Sequence, residues 1–371
     1  MKLAMVIPSL RGGVRYHAPM LQAIAEKGVS VRVFTGMPPP EEPPFPLELV
    51  PGGILRDTVD VAGYATRYTY ISPRLIASLI RWRPDVIVVV EYGIATLWSL
   101  LAGLLRRRPV MIFQEHGSPA EYLRSPTRRL FRLGLARLAD GFIANTDEAA
   151  QEIAVVLRAD PARIFTVKLL LPPPRDYLLT DLFHLPPIDH RPLFLFMGQL
   201  IGRKNAHVLL LATQRLVEEG RRFTVWIAGE GPDRESLEHF VELNGLGDAV
   251  TFLGPIPYRS TGHVYEASDV FVMPTFADVL SVAVLEAIRF GKPVIGSKLG
   301  GFAGHVVFDR ENGFLFDPTD ATELARYMRA FLEDPTLIQE MGRRSGEIFG
   351  DHDHDASADR LVRVLRSQLR R

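Results

Sequence analysis

Four charged residues have the types and the spacing to handle a nucleotide. Asp278 and Glu286 stand with seven residues between them in the stretch from Met273 to Gly301, MPTFADVLSVAVLEAIRFGKPVIGSKLGG. Arg203 and Lys204 are adjacent in Gly198-Gln199-Leu200-Ile201-Gly202-Arg203-Lys204-Asn205. A carboxylate can accept hydrogen bonds from two vicinal hydroxyls, and a guanidinium or ammonium can hold phosphate oxygens. Apolar residues at Val282, Leu285, Ala287 and Ile288, with Gly291 just beyond, predict a helix over 281–290. Its first backbone N–H groups, around Leu280, Ser281 and Val282, would form an anion site through unpaired donors and the positive dipole end. Glu286 follows on the same face. A phosphate cradle beside a diol-binding acid is what a nucleotide sugar needs.

The elements that must position these residues read as alternating strands and helices. Val270–Met273 and Pro293–Gly296 are apolar runs flanking the 281–290 helix. Leu193–Met197 reads as a strand, and His207–Glu219 as the helix after the Arg203-Lys204 loop. Thr224–Ala228 is a strand ending in the turn Gly229-Glu230-Gly231-Pro232. Strands are expected at 250–253 and 313–316, and helices within 258–267 and over 320–333 and 355–370. At the other end, Leu3–Ile7, His17–Lys27 and Val29–Thr35 form a βαβ opening, with Gly12-Gly13 in its first loop. No Gly-x-Gly-x-x-Gly occurs there. Residues 54–80 read as helical or irregular. Strands are expected at 84–90 and 110–113, a helix over 94–105, a basic amphipathic helix over 127–138, and then strand, helix and strand over 140–145, 148–157 and 164–170. His116 falls just after the 110–113 strand, where open α/β sheets bind ligands. The proline-rich PPPEEPPFP segment within 37–46 is a surface excursion, since proline can neither continue a helix nor pair in a central strand.

A chain of 371 residues exceeds one ordinary core, and length alone suggests two or three domains. With 47% hydrophobic and 23% charged residues it fits a globular enzyme. No Cys is present, which removes disulfides and thiolate chemistry and fits a cytoplasmic setting. Val86–Leu105 is nearly long enough to span a bilayer, but Glu91-Tyr92-Gly93 divides it into a strand and a helix. Formal charge is zero yet uneven. Residues 1–174 hold 21 Lys and Arg against 15 Asp and Glu, and the remainder 22 against 28. Arg106, Arg107, Arg108, Arg124, Arg128, Arg129, Arg132 and Arg137 make up most of the first excess. Such a cluster suits anionic lipid or an anionic acceptor as a peripheral membrane contact, and equally a solvated face. Aromatics are not interleaved with it as nucleic acid would require. Asp351-His352-Asp353-His354-Asp355 looks metal-binding, but its residues are adjacent, and no metal is assigned there.

Asp278, Glu286-Ala287, Gly291-Lys292-Pro293-Val294-Ile295 and Gly300-Gly301 together resemble the nucleotide-sugar signature of retaining glycosyltransferases of family 4. Asp278 stands where the family usually has Glu. Lys204 matches the Lys of a Gly-Arg, four residues, Lys pattern in which Gln199 replaces the Arg. The 229–232 turn resembles a Gly-x-Gly-Pro turn, and Asn312–Leu315 an Asn-Gly-x-Leu strand. The resemblance implies an α/β GT-B fold, two Rossmann-like domains with parallel sheets facing an interdomain cleft. It implies an acceptor domain over 1–171, a linker over 172–192, a donor domain over 193–345, and a C-terminal helix over 346–371 crossing back to the first domain.

It also implies roles. Lys204 would stabilise charge developing on the diphosphate, Glu286 would hold the ribose, Asp278 the donor sugar, and His116 would sit near the reacting sugar. Gly12, Gly13, Gln199, Arg203, Gly229, Gly231, Leu280, Ser281 and Val282 would contact the donor. The reaction would retain anomeric configuration, need no metal and no cofactor beyond the nucleoside diphosphate sugar, and join that sugar to a hydroxyl acceptor. An epimerase or hydrolase of the same fold and a non-catalytic nucleotide-sugar binder are the alternatives, the second motivated by Gln199 and Asp278.

Overall fold

The computed structural model describes residues 1–10, 14–38, 45–59, 65–114, 126–168, 171, 177–178, 184–278, 281–350 and 354–369. They form two compact units, one from Met1–Thr58, Ala65–Leu171 and His352–Arg371, the other from Val59–Tyr64 and Pro172–Asp351.

The first unit runs β1 (Lys2–Val6), α1 (Val14–Glu26), β2 (Ser30–Thr35), β3 (Leu47–Leu49), β4 (Gly52–Val59), β5 (Ala65–Ile71), α2 (Arg74–Trp82), β6 (Val86–Val90) and α3 (Ile94–Arg106). It continues with β7 (Val110–Gln114), α4 (Pro126–Leu138), β8 (Gly141–Ala144), α5 (Asp147–Val155) and β9 (Ile164–Thr166). Seven strands make a parallel sheet in the order β3-β2-β1-β6-β7-β8-β9. The two-residue period of a strand sorts its side chains between two cores. Leu3, Met5, Val86 and Val88 enter one core, while Ala4, Val6, Ile87 and Val89 enter the other. Burial on both faces is why β6 and β7 read as unbroken apolar runs. α12 (His354–Gln368) closes the first core, packing Ala358, Leu361 and Leu365 with Met20, Leu21 and Ile24 of α1. Lys27 pairs with Asp359 at 2.9 Å.

One expectation is overturned here. The 54–80 stretch is not simply helical or irregular, because β4 and β5 pair as a separate two-stranded sheet before α2 begins. Thr and Tyr in Ala65–Ile71 suit a pleated ribbon, but the pairing partner cannot be read from local composition.

The second unit runs β10 (Leu193–Met197), α6 (Ala206–Glu218), β11 (Thr224–Ala228), α7 (Arg234–Leu243), β12 (Val250–Gly254), α8 (Thr261–Ala267), β13 (Val270–Met273) and α9 (Val282–Arg289). After these come β14 (Val294–Ser297), β15 (Gly313–Phe316), α10 (Ala321–Glu333) and α11 (Thr336–Gly350). Its six-stranded parallel sheet has the order β12-β11-β10-β13-β14-β15. α7 and α11 are helices that the sequence reading lacked. α11 packs on α9, with Gly342 close enough to the Gly291 carbonyl that an added Cβ would lie 2.3 Å from it. Residue 345, the expected end of the second domain, therefore lies inside a helix.

His17, on α1, is 4% exposed, and burial pushes its pKa down from 6.5 to about 4. The unfolded chain protonates this group first, so the penalty on the fold is absent above pH 6.5 and grows as pH falls towards 4. Up to about 3 kcal/mol of stability is at stake in that window. Denaturant titrations from pH 7 to 4 should show this loss, and His17→Gln should flatten it; an unchanged slope in the variant would remove His17 as the cause.

Candidate functional site

The order of the second sheet fixes where a site can form. From β10 the chain builds outward through β11 and β12, then returns to add β13, β14 and β15 on the other side. Adjacent parallel strands at such a reversal send their following chains to opposite faces, leaving a crevice at their carboxyl ends. The two strands here are β10 and β13, and their loops carry Gln199, Arg203 and Lys204 on one side and Asp278 on the other.

Backbone groups stitch these loops together. Phe276 N donates to the Arg203 carbonyl at 2.9 Å, and the Thr275 hydroxyl lies 3.0 Å from the same oxygen. Asn205, 9% exposed, donates its side-chain amide to the carbonyls of Pro274 (3.1 Å) and Pro318 (2.8 Å). Its φ of 54° and ψ of 39° are left-handed, a conformation Asn tolerates, and it lets a 3₁₀ turn over Gly202–Lys204 end directly at α6. The Gly300-Gly301 turn clasps the second loop from β14, with Gly301 N donating to the Asp278 carbonyl at 2.7 Å. A Cβ on Gly300 would lie 2.3 Å from the Phe302 ring.

Three charges meet where the loops touch. Lys204 Nζ is 2.5 Å from Asp278 Oδ2. Arg203 Nη1 donates to the Ala277 carbonyl at 2.7 Å and lies 3.5 Å from Asp278 Oδ1. The three side chains are only 10–13% exposed. Burial pulls the Lys204 pKa below its ordinary value, opposed by the adjacent Asp278 carboxylate. Arg203 thus points towards the Lys204 partner. Gln199 is exposed at the start of the same loop.

Gly229 and Gly231 press on this loop from the end of β11. A Cβ on Gly229, where φ is +138°, would fall 1.8 Å from the Gly198 carbonyl oxygen, and one on Gly231 would fall 2.2 Å from that of Leu200. Their visible task is close backbone approach.

Glu286 belongs to a second cluster. It sits on α9 with Ser281 at the N-cap, is 5% exposed, and accepts a 2.9 Å hydrogen bond from the Tyr265 hydroxyl on α8. Burial, and then Glu286 itself, raise the Tyr265 pKa well above its usual range, so this hydroxyl stays a donor. Tyr177 packs against Tyr258 and Phe290, and Phe290 stacks on Tyr265. Lys292 of the Gly-Lys-Pro run caps α8, donating to the Ser268 carbonyl at 2.7 Å. Tyr265, Asn205 and Thr275 were not singled out by sequence reasoning; an Asn just before a helix was the one available signal. Gly12, Gly13, His116 and Leu280 lie outside the described residues. Asp351, His352 and Asp353 do as well; among the described residues no group of three or more His, Cys, Asp or Glu is placed to hold a metal.

Parallel sheets of this order define a doubly wound α/β class, in which ligands sit at the strand reversal. The description of glycosyl transferases group 1 matches residues 181–368 and that of glycosyltransferase family 4 matches 10–168, and the chain belongs to the glycosyl transferases group 1 family. It is 28% identical over 277 residues to the 2-deoxystreptamine glucosyltransferase of Streptomyces kanamyceticus, covering 70% of each chain. It is 25% identical over 397 residues to the D-inositol 3-phosphate glycosyltransferase of Thermobifida fusca, covering 96% of this chain and 89% of that one. Among solved structures, HepE of Anabaena in complex with UDP superposes with a TM-score of 0.77 at 18% identity, over 99% of this chain and 100% of that one. Sucrose-phosphate synthase of Thermosynechococcus elongatus gives 0.74 at 20% identity over 99% of each. The fold is α/β GT-B, and the protein is a glycosyltransferase that moves a sugar from a nucleotide sugar to an acceptor.

Gly229→Ala tests the packing of the β10 loop. Overpacking against a carbonyl should cost about 3 kcal/mol, read by urea unfolding. A change within about 0.5 kcal/mol would mean that the loop yields freely.

Proposed function

We propose that the loops after β10 and β13, with α9, bind the donor. The observation that carries this is the meeting of Lys204, Arg203 and Asp278 from two loops at the reversal of the sheet. In this reading Lys204 and Arg203 hold the diphosphate, and the backbone N–H groups of Ser281 and Val282 at the start of α9 add neutral donors. Glu286, oriented by Tyr265, receives the ribose hydroxyls, because an ionised carboxylate can accept from several donors. Asp278 receives hydroxyls of the donor sugar. When the bond from the anomeric carbon to the phosphate oxygen breaks, negative charge grows on the diphosphate, and the two cations stabilise it where water is scarce. The acceptor oxygen bonds to the anomeric carbon on the face that the phosphate leaves, the leaving phosphate oxygen takes the acceptor's proton, and anomeric configuration is retained. His116, Gly12, Gly13, Gln199 and Leu280 keep the donor or acceptor contacts that the family resemblance implies. The close packing of Gly229 and Gly231 serves donor binding by shaping the β10 loop.

Melting temperatures with UDP, GDP, ADP and dTDP, with and without magnesium, test this. A diphosphate at 100 times its Kd stabilises the fold by about 2.7 kcal/mol. One of the four should give such a shift without the metal, and Glu286→Ala should lose most of it. No shift with any of them would remove the donor site from these loops.

A second reading concerns the acceptor side. Leu104 and Leu138, 77% and 66% exposed, lie with Arg107, Arg108 and Arg163 around a cavity of about 600 Å³ between the ends of α3 and α4. Leu105 and Leu130 are exposed on the same helices. Among the described residues Arg106, Arg107 and Arg137 have no ion pair, while Arg132 turns inward to Glu152 at 3.5 Å. Arg124 lies outside them. We propose that this face meets anionic lipid. Among the described residues no helix is long and apolar enough to cross a membrane; in this reading the contact is a peripheral one. Each surface arginine contributes about 1 kcal/mol near such a bilayer. Replacing Arg106, Arg107 and Arg137 with Gln should therefore weaken sedimentation with anionic vesicles by roughly 100-fold. Equal binding to neutral vesicles would refute the reading.

A further inference from the structure

We propose that Asp278 is an exchangeable counter-ion: it occupies Lys204 in the empty site, yields Lys204 to the donor diphosphate, and reclaims it once the sugar has left, driving out the spent nucleotide diphosphate. This rests on the donor-site reading and adds a direction to it.

The side chain of Asp278 has no evident duty to its own loop. That loop is held through backbone, by Gly301 N on the Asp278 carbonyl and by the ladder pairing of Asp278 with Gly300. Arg203 has its own anchor on the Ala277 carbonyl. Among the described residues the Asp278 carboxylate bonds only to Lys204 and Arg203. It therefore acts on charge. Two cations and one carboxylate leave this nearly buried cluster at about +1. A diphosphate brings two or more negative charges to the same ammonium. At such distances, and with so little water, two anions on one cation repel strongly. The carboxylate must turn away for the phosphate to sit down.

What happens next depends on the ligand. With a nucleotide sugar, the displaced carboxylate finds the sugar's hydroxyls and recovers hydrogen bonds. With the bare nucleotide diphosphate it finds none, and a charge-assisted contact has been given up without a replacement. The same carboxylate thus favours substrate over product. It also serves the empty state. Burial pulls the Lys204 pKa down, and the adjacent carboxylate opposes that fall, keeping a cation ready for phosphate. Stability is not the gain, because buried ion pairs are weak contributors to it.

The test is calorimetric titration of UDP, GDP, ADP and dTDP into wild type, Asp278→Asn, Lys204→Met and the double variant, each checked for native melting. Asp278→Asn should bind the preferred bare diphosphate about tenfold tighter, a gain of about 1.4 kcal/mol. The gain should vanish in the Lys204→Met background, since the two residues act as one pair. A residue that only touches the sugar leaves bare diphosphate binding unchanged, so equal or weaker binding by folded Asp278→Asn overturns the proposal. If Asp278→Asn does not fold, Asp278→Ala is read the same way. If neither folds, the carboxylate is a structural anchor and the proposal falls. Binding of no diphosphate by wild type would instead bring down the donor-site reading itself, a result distinct from binding without the gain.

Discussion

The loops after β10 and β13 are tied by uncharged hydrogen bonds before any side-chain charge is considered. Phe276 N on the Arg203 carbonyl and the Asn205 amide on Pro274 set their separation. Those ties hold near each other the loops of Lys204 and Asp278, 74 residues apart in sequence and 2.5 Å apart in space. A one-residue change of phase in either loop would carry a cation or a carboxylate out of reach. The sheet order makes the ties possible, since only strands flanking the reversal bring their following chains into one crevice. The chemistry of the second unit therefore depends on strand order first and side-chain identity second.

Close approach of glycine sharpens the same constraint. The β10 loop lies against the β11 turn so tightly that neither Gly229 nor Gly231 leaves room for a Cβ. Phe302 fills the space above Gly296 and Gly300 on the other side. Protein interiors transmit such contacts because they are packed without slack. The glycine-rich turns of the signature region are thus parts of a rigid frame around the charged cluster, and a signature of this kind is legible in sequence because the frame admits only the smallest residue.

Much of the fold was readable for the same reason. β6, β7 and β10 are short apolar runs bounded by turn residues, the pattern of strands buried on both faces. The 281–290 helix appears as Val282–Arg289, opening after Ser281, whose carbonyl accepts from the N–H groups of Val284 and Leu285, and ending just before Gly291. β4 and β5 are consecutive strands, so their pairing is local; they escaped because their composition is mixed, with Arg56, Asp57 and Arg67 among the strand formers. α7 and α11 were missed although Leu237, Phe240 and Val241, and Leu337, Ile338 and Met341, have helical spacing; their packing is shallow, α7 burying only Leu237 and Val241 and α11 only Met341, Gly342 and Ser345. At the site, Lys204, Asp278 and Glu286 stood out by type and spacing. Nothing local announced that Lys204 and Asp278 would pair, or that Tyr265 would hold Glu286, since each pair spans helices and strands that only the sheet order brings together.

The two charged clusters differ in how they meet the cost of burial, and that difference separates their uses. Glu286 accepts from the Tyr265 hydroxyl, which stays protonated because burial and the carboxylate both oppose its ionisation. A neutral donor fixes a rotamer without itself contributing charge. Asp278 is held by cations, and its charge is largely cancelled until another anion competes for them. The first arrangement suits a group that recognises the unchanging part of a donor, its ribose. The second suits a group whose environment must change between the start and the end of a turnover. A carboxylate facing hydroxyls alone would need no lysine beside it, and a lysine facing phosphate alone would need no carboxylate. Placing both on the loops of one strand reversal puts them in contact, and in the proposed exchange the occupancy of one is the condition for the freedom of the other.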